Sequence, residues 1–405
     1  FSGEFSIQSV LAAVLYKWFG ESDTIARMVT ISFSLLGIWF FYDLLDRRAG
    51  FMAAWLGAFI YSLLPYHLFF GRVFMPDIPA LALAIGSIDW LDRWTDDRKW
   101  RTLLAAAALA ALAVLQKLTV IFIALPALYL FWLAYGRRLL LRIEFYVFTA
   151  ISGLPSLAWY THAVGLGHQS GFYIAQPFLL ARYLGLWLKI PFLLQVLKAL
   201  AVEAFSPLGL VLVTMGLFWP MHNRAAVIFR LWVAGAVALL ALIPSVLPEN
   251  HYYFSLLLPG GAALGGLALA DFARYRKLCP ILALVLALFT AGAIHSALPL
   301  FQADRAPFDL GAWLNRSTSA HDLIAIQGSS PNILYFADRR GWMLDYYDAP
   351  LLDRFAQAGA TYYADVFPAD ASEHQAFFRV LDSRYRRLTT GDQRWHVYYL
   401  AGAKL

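Results

Sequence analysis

"GRVFMPDIPALALA" occupies Gly71–Ala84 and joins two strongly apolar runs. Arg72 and Asp77 stand five residues apart in it, with Pro76 and Pro79 around the acid. Residues at that spacing do not share a face of one continuous helix, and the prolines signal a turn. The segment therefore reads as a break at a membrane surface. One apolar run ends near Phe70, and the next opens at Asp77, where the helix dipole favours an anion. Ionisable groups at membrane depth are retained where they face protein or water. The plainer reading is a capping Asp and an interfacial Arg; the sharper one is a polar cavity between helices.

Working outward, the 405 residues are 60% hydrophobic and 14% charged. Soluble domains carry about 25% charged residues, so the chain is expected to be an integral membrane protein. Its 14 Trp, 21 Tyr and 31 Phe suit interfacial belts. A span needs about 20 apolar residues. Candidates lie near 24–44, 51–70, 77–93, 102–117, 118–135, 144–161, 204–220, 225–246, 253–271 and 279–299, several of them short enough to be broken or tilted. All should be helical, because lipid satisfies no open backbone.

Alternate loops carry the basic residues: Arg47 and Arg48; Arg93, Arg98, Lys99 and Arg101; Arg137, Arg138 and Arg142; Arg224; Arg274, Arg276 and Lys277. By the positive-inside rule these face the cytoplasm. The break at 71–77 and Lys117 then face outward. The net charge of +6 follows from this pattern and does not imply nucleic acid. The single cysteine, Cys279, allows no internal disulfide.

Phe5–Trp18 is about half a span and reads as a helix lying at the outer interface, with Ser22, Asp23 or Thr24 able to cap the helix after it. The chain does not begin with Met, and "FSGEFSIQSV" lacks the basic region of a signal peptide; an internal start is expected. After about Phe301 the pattern changes. "DLIAIQ", "ATYYADV" and "WHVYYL" read as strands, while "FDLGAWLNR", "LLDRFAQAG" and "HQAFFRVLDSRY" read as helices. The expected organisation is a multi-span domain over 1–300 and a small extracytoplasmic α/β domain over 301–405.

Other outer-side candidates are few. Lys117, in "AVLQKLTVIF", either snorkels to headgroups or supplies a cation for a lipid phosphate. Glu4 precedes the interfacial helix and is either an exposed acid or part of a site. "ENHYYFSLLLPG" holds Glu249, His251, Tyr252 and Tyr253 and is either an aromatic belt or a cavity wall. His162 and His168 are a weak metal signal. Phosphate-loop, CxxC, HExxH and GxSxG motifs are missing. A cytosolic nucleotide cannot reach the outer face, so a group transferred there must arrive on a lipid.

In order and spacing these pieces resemble the bacterial glycosyltransferases of the protein O-mannosyltransferase and lipid A aminoarabinose transferase superfamily, of the GT-C fold class. The resemblance rests on "GEFSIQSVLAAVLYKWFGESDTIARMVTISFSLLGIWFFYDL", "GRVFMPDIPA", "LAVLQKLTV", "HYYFSLLLPGGAAL" and "SPNILYFADRRGW". It implies an all-α polytopic membrane domain of about ten spans with a small C-terminal α/β domain. It implies a polyprenyl-phosphate sugar donor, a lipid, glycan or protein acceptor, and work at the periplasmic face of the bacterial inner membrane. Glu4 and Asp77 match the family's acidic positions, and the principal catalytic Asp is expected upstream of Phe1. Phe5-Ser6-Ile7 departs from the family's proline-containing pattern after the acid, which leaves sugar and acceptor open.

A glycosyl phosphate has a good leaving group. It needs cations for the phosphate, for which Arg72 and Lys117 are the candidates, and a carboxylate as base, for which Asp77 and Glu4 are. His251, Tyr252 and Tyr253 are candidates to line the substrate cavity. One displacement would invert the anomeric centre. No cofactor and no metal ligands are expected, with dependence on a divalent ion left open. The rivals are a transporter or flippase, which would want mid-span charges and internal repeats, and an inactive relative serving as an assembly subunit.

Overall fold

The computed structural model describes residues 3–170, 183–220, 223–248, 250–302, 304–328, 330–344, 346–366, 372–390, 392 and 394–401. Glu249 lies outside the described residues, as does the side chain of His168. The chain divides into two compact units, Phe1–Phe301 and Gln302–Leu405. The expected class, a helical membrane unit with a small α/β unit, is the observed one.

The first unit contains α1 (Ile7–Phe19), α2 (Asp23–Ala49), α3 (Phe51–Leu63), α4 (Pro65–Phe70), α5 (Asp77–Asp97), α6 (Trp100–Gln116) and α7 (Ala124–Tyr135). These are followed by α8 (Ile143–Ser170), α9 (Ile190–Lys198), α10 (Pro207–Phe218), α11 (Arg224–Leu242), α12 (Leu258–Ala273) and α13 (Cys279–Ala297). Ser22 caps α2, its Oγ accepting the Thr24 N–H at 3.2 Å.

Each of the ten apolar runs maps onto helix, but not each onto one straight span. Among the described residues five helical runs are long and apolar enough to cross a membrane, or six if one bent pair counts as a span. The run 51–70 breaks at Leu64, because Pro65 has no N–H to continue α3 and instead opens α4. The run near 204–220 follows a bend of 102° between Ile190–Ala204 and Pro207–Phe218. Ser206 sits in that bend at φ +64°.

Charge fixes one end of the bundle. Arg47 bonds Asp43 at 2.7 Å and Asp92 at 3.0 Å and also pairs with Asp89. Arg48 bonds Asp92 at 2.6 Å and also pairs with Asp96. Arg224 reaches Asp92 at 3.4 Å and Asp96 at 3.3 Å. Asp89 and Asp92 are fully buried. The network ties the C-terminal ends of α2 and α5 to the start of α11, so α2 and α5 run parallel and both begin at the opposite end. Close packing supports the middle: a Cβ on Gly266 of α12 would lie 2.4 Å from the Gly57 nitrogen of α3, so only glycine allows this approach.

The second unit contains α14 (Ala306–Ser317), α15 (Asn332–Ala337), α16 (Ala349–Gln357), α17 (Ser372–Arg384) and strands β1 (Leu323–Gln327), β2 (Arg340–Leu344), β3 (Ala360–Asp365), β4 (Arg386–Arg387) and β5 (His396–Tyr399). Strand order is β2-β1-β3-β5-β4, with β1 parallel to β2 and β3, and β5 antiparallel to β3 and β4. Alternation along β1 divides the core. Ile324 and Ile326 pack with Leu310 of α14 and Ile333 of α15, and Ala325 packs on the other face with Leu352 of α16 and Phe377 of α17. The sequence pattern anticipated β1, β3, β5, α14, α16 and α17; it passed over β2, β4 and α15.

Candidate active site

Asp77 stands in the first turn of α5 and is 1% exposed. α6 returns to the same end and stops at Lys117, whose backbone is extended at φ −157°. Lys117 is 3% exposed, and its Nζ donates to Asp77 Oδ1 at 2.7 Å. The rings of Tyr252 and Tyr253 flank that nitrogen, with centroids at 4.6 and 4.8 Å. A desolvated ammonium over aromatic faces is held by cation–π attraction as well as by its counter-ion. Asp77 Oδ2 is buried and has no hydrogen-bond partner.

The N-terminal segment delivers a second carboxyl. Phe5 N–H donates to Leu115 O at 3.1 Å, Ile7 N–H to Gln116 Oε1 at 2.7 Å, and Trp159 Nε1 to Gly3 O at 2.8 Å. Phe5 and Trp159 pack edge to face at 5.0 Å. These contacts pin Glu4 to the end of α6 and to the middle of α8, within the field of Lys117 and Asp77. Burial pushes the Glu4 carboxyl above its ordinary value, Lys117 opposes that rise, and Asp77 adds to it.

The structure thus brings together Glu4, Asp77, Lys117, Tyr252 and Tyr253. Arg72 and His251 are engaged elsewhere. The Arg72 guanidinium lies 4.4 Å from the Phe301 ring centroid, and its Nε is buried without a hydrogen-bond partner. Its charged neighbour is Arg27 of α2, another cation; neither forms an ion pair among the described residues. His251 Nδ1 lies 3.0 Å from Glu203 Oε2, which also accepts the Tyr66 hydroxyl at 2.8 Å. Lys117 differs from its sequence expectation in that Asp77 already neutralises it. Sequence reasoning passed over Gln116, Trp159, Arg27 and Glu203 as functional positions. The detectable signal was Glu203, an isolated acid in "ALAVEAF".

Beside Lys117 an apolar cleft of about 490 Å³ runs between α6, α7 and α8. Val114, Leu118, Ile121, Phe148 and Tyr160 are among its walls, and the Tyr160 hydroxyl donates to Val114 O at 3.1 Å. No group of three or more His, Cys, Asp or Glu is arranged to hold a metal among the described residues.

The family described as dolichyl-phosphate-mannose-protein mannosyltransferase matches residues 8–160. No curated protein sequence matches the chain. Among solved structures the chain is similar to ArnT from Cupriavidus metallidurans bound to undecaprenyl phosphate. Identity is 13%, with 98% of this chain and 88% of that one covered and a TM-score of 0.65. It is also similar to the oligosaccharyltransferase AglB from Archaeoglobus fulgidus in complex with an inhibitory peptide and a dolichol-phosphate. There identity is 12%, 96% of this chain and 65% of that one are covered, and the TM-score is 0.55. The oligosaccharyltransferase of the same organism tethered with an acceptor peptide gives 11% identity, coverage of 99% and 66%, and a TM-score of 0.57. The chain spans about two thirds of the archaeal protein's length. At these identities the likeness is one of architecture: the chain is a multi-pass membrane protein with the GT-C fold of membrane glycosyltransferases.

Proposed function

We propose that this chain is a glycosyltransferase that takes a sugar from a polyprenyl-phosphate carrier and passes it, with inversion, to a lipid, glycan or protein acceptor at the periplasmic face of a bacterial inner membrane. One observation carries the reading. Glu4, Asp77 and Lys117 come from three segments remote in sequence and meet at the end of the bundle opposite the arginine–aspartate network. Beside them lie the apolar cleft and, at the same end, two guanidiniums without carboxylate partners among the described residues.

The chemistry divides among these groups. The cleft fits the branched hydrocarbon tail. Arg72 and Arg27 keep free charge for the phosphate, and charge-assisted bonds to it strengthen as the sugar departs and negative charge gathers on oxygen. Lys117 fixes Asp77 rather than binding the donor alone. The partnerless Asp77 Oδ2 and the raised Glu4 carboxyl are the acids of this chain that face the reacting centre. At the opposite end, the buried network holds α2, α5 and α11 together, which an alternating-access carrier would have to open.

Native mass spectrometry of the full-length protein in nanodiscs tests donor recognition. Undecaprenyl phosphate should be retained, undecaprenol of the same tail should not, and Arg72→Ala with Arg27→Ala should abolish the difference. Equal retention of both lipids by the parent protein would refute phosphate recognition.

A further inference from the structure

We infer that Glu203 and His251 form the acceptor station of this transferase, and that the acceptor presents a hydroxyl rather than a phosphate. The inference rests on the glycosyl-transfer reading above. Glu203 lies in Ala199–Ala204, a π-helical turn that follows α9. Such turns interrupt a helix at a cost and occur frequently at functional sites. Two residues on, Ser206 is held at φ +64°, a left-handed conformation that side chains other than glycine rarely adopt. Two departures from regular backbone thus frame the single acid of the segment.

The pair fixes the tautomer of the imidazole. Glu203 Oε2 lies 3.0 Å from His251 Nδ1 and also accepts the hydroxyl of Tyr66, which is 1% exposed. A carboxylate at Nδ1 places the proton there and leaves a lone pair on Nε2. Among the described residues, the polar contact of Nε2 is the Gln195 amide nitrogen, at 3.5 Å. That is too long for a good hydrogen bond, so Nε2 remains available as an acceptor.

Access and position separate this pair from the Lys117–Asp77 pair. The side chains of His251 and Glu203 are 28% and 27% exposed, against 4% and 1% for Lys117 and Asp77. Tyr252 links the two clusters: its ring lies 4.6 Å from Lys117 Nζ and 6.3 Å from Phe70, which packs on Tyr66 at 5.1 Å. His251 is the chain neighbour of Tyr252, whose ring flanks the Lys117 ammonium. An accessible carboxylate repels an anionic acceptor, whereas an imidazole lone pair accepts a hydrogen bond from a hydroxyl. His251 is the contact to the acceptor, and Glu203 is a positioning residue that acts through it.

Full-length protein in nanodiscs is treated with diethyl pyrocarbonate, and carbethoxylation of His251 is followed by peptide mass spectrometry. n-Octyl mannoside serves as the hydroxyl probe and octyl phosphate as the anionic probe. The mannoside should slow modification of His251 at least fivefold, and octyl phosphate should not. Glu203→Gln should require at least tenfold more mannoside for the same protection, and Glu203→Asp should restore part of it. Undecaprenyl phosphate binding should be unchanged in Glu203→Gln and His251→Asn, which also shows that both variants fold. Protection by octyl phosphate, no protection by the mannoside, or unaltered protection in Glu203→Gln would overturn the acceptor assignment. Failure of the parent protein to bind undecaprenyl phosphate would instead remove the transfer reading on which it rests.

Discussion

Replacing Asp77 by Asn leaves the Lys117 ammonium 3% exposed with its 2.7 Å partner neutral. Removing one member of a buried ion pair costs about 3–5 kcal/mol, because the other charge stays desolvated. The Asn carbonyl still accepts a hydrogen bond, and Glu4 and the two tyrosine faces still stabilise the ammonium. The lower end of the range, about 3 kcal/mol, is therefore expected. Lys117→Met should cost a similar amount by stranding the Asp77 carboxylate. The double variant removes both charges, so it should be less destabilised than the sum of the singles by about 2 kcal/mol. Denaturant unfolding of the full-length protein in nanodiscs, followed by tryptophan fluorescence, measures all three. Losses below about 1 kcal/mol that add in the double variant would show that Lys117 and Asp77 are each solvated separately and refute the buried pair.

Other outcomes follow from the same geometry. Glu4→Gln should lose transfer yet stabilise the protein near pH 7; burial raises the Glu4 carboxyl, so its protonated form favours folding and that favour is lost as pH rises through the raised value. The gain should vanish below the ordinary carboxyl range, and a variant less stable than the parent at pH 7 would contradict it. Asp92→Asn should destabilise by about 3 kcal/mol, since a fully buried acid serves Arg47, Arg48 and Arg224 together; unchanged denaturant midpoints would remove the network from the fold's support. Arg72→Ala should weaken undecaprenyl phosphate binding tenfold or more, matching about 1.5–3 kcal/mol for a charge-assisted bond, and unaltered affinity would count against it. Cys279, exposed beside Arg276 and Lys277, should react with an impermeant maleimide only from the cytoplasmic side; labelling from outside would invert the topology.

The helical membrane architecture was legible because apolar runs are local signals. Asp77, Lys117 and Glu4 stood out for the same reason, each interrupting an apolar context. Their mutual arrangement was not legible. That Lys117 meets Asp77 depends on α6 running back beside α5, and that Glu4 joins them depends on Gln116 and Trp159 capturing the first described residues. Neither partner has a distinctive pattern of its own. Pro65 and the bend at Ser206 split runs that hydropathy alone leaves whole. β2 escaped notice because "RGWML" opens on Arg and Gly, where a Cβ on Gly341 would meet the Ile324 carbonyl at 1.7 Å. Arg27 falls inside the apolar run 24–44 without a signal of its own; its approach to Arg72 emerges only in the fold.

The most direct measurement follows the carrier itself. Full-length protein and its Asp77→Asn variant are incubated in liposomes with undecaprenyl-phosphate-linked sugars and a hydroxyl acceptor, and the lipids are extracted and weighed by mass spectrometry. The parent should convert one of these carriers to free undecaprenyl phosphate with the sugar mass appearing on the acceptor, while Asp77→Asn slows the conversion at least a hundredfold. Carriers that keep their sugar and merely exchange leaflets would contradict glycosyl transfer at this site, as would equal conversion by both proteins.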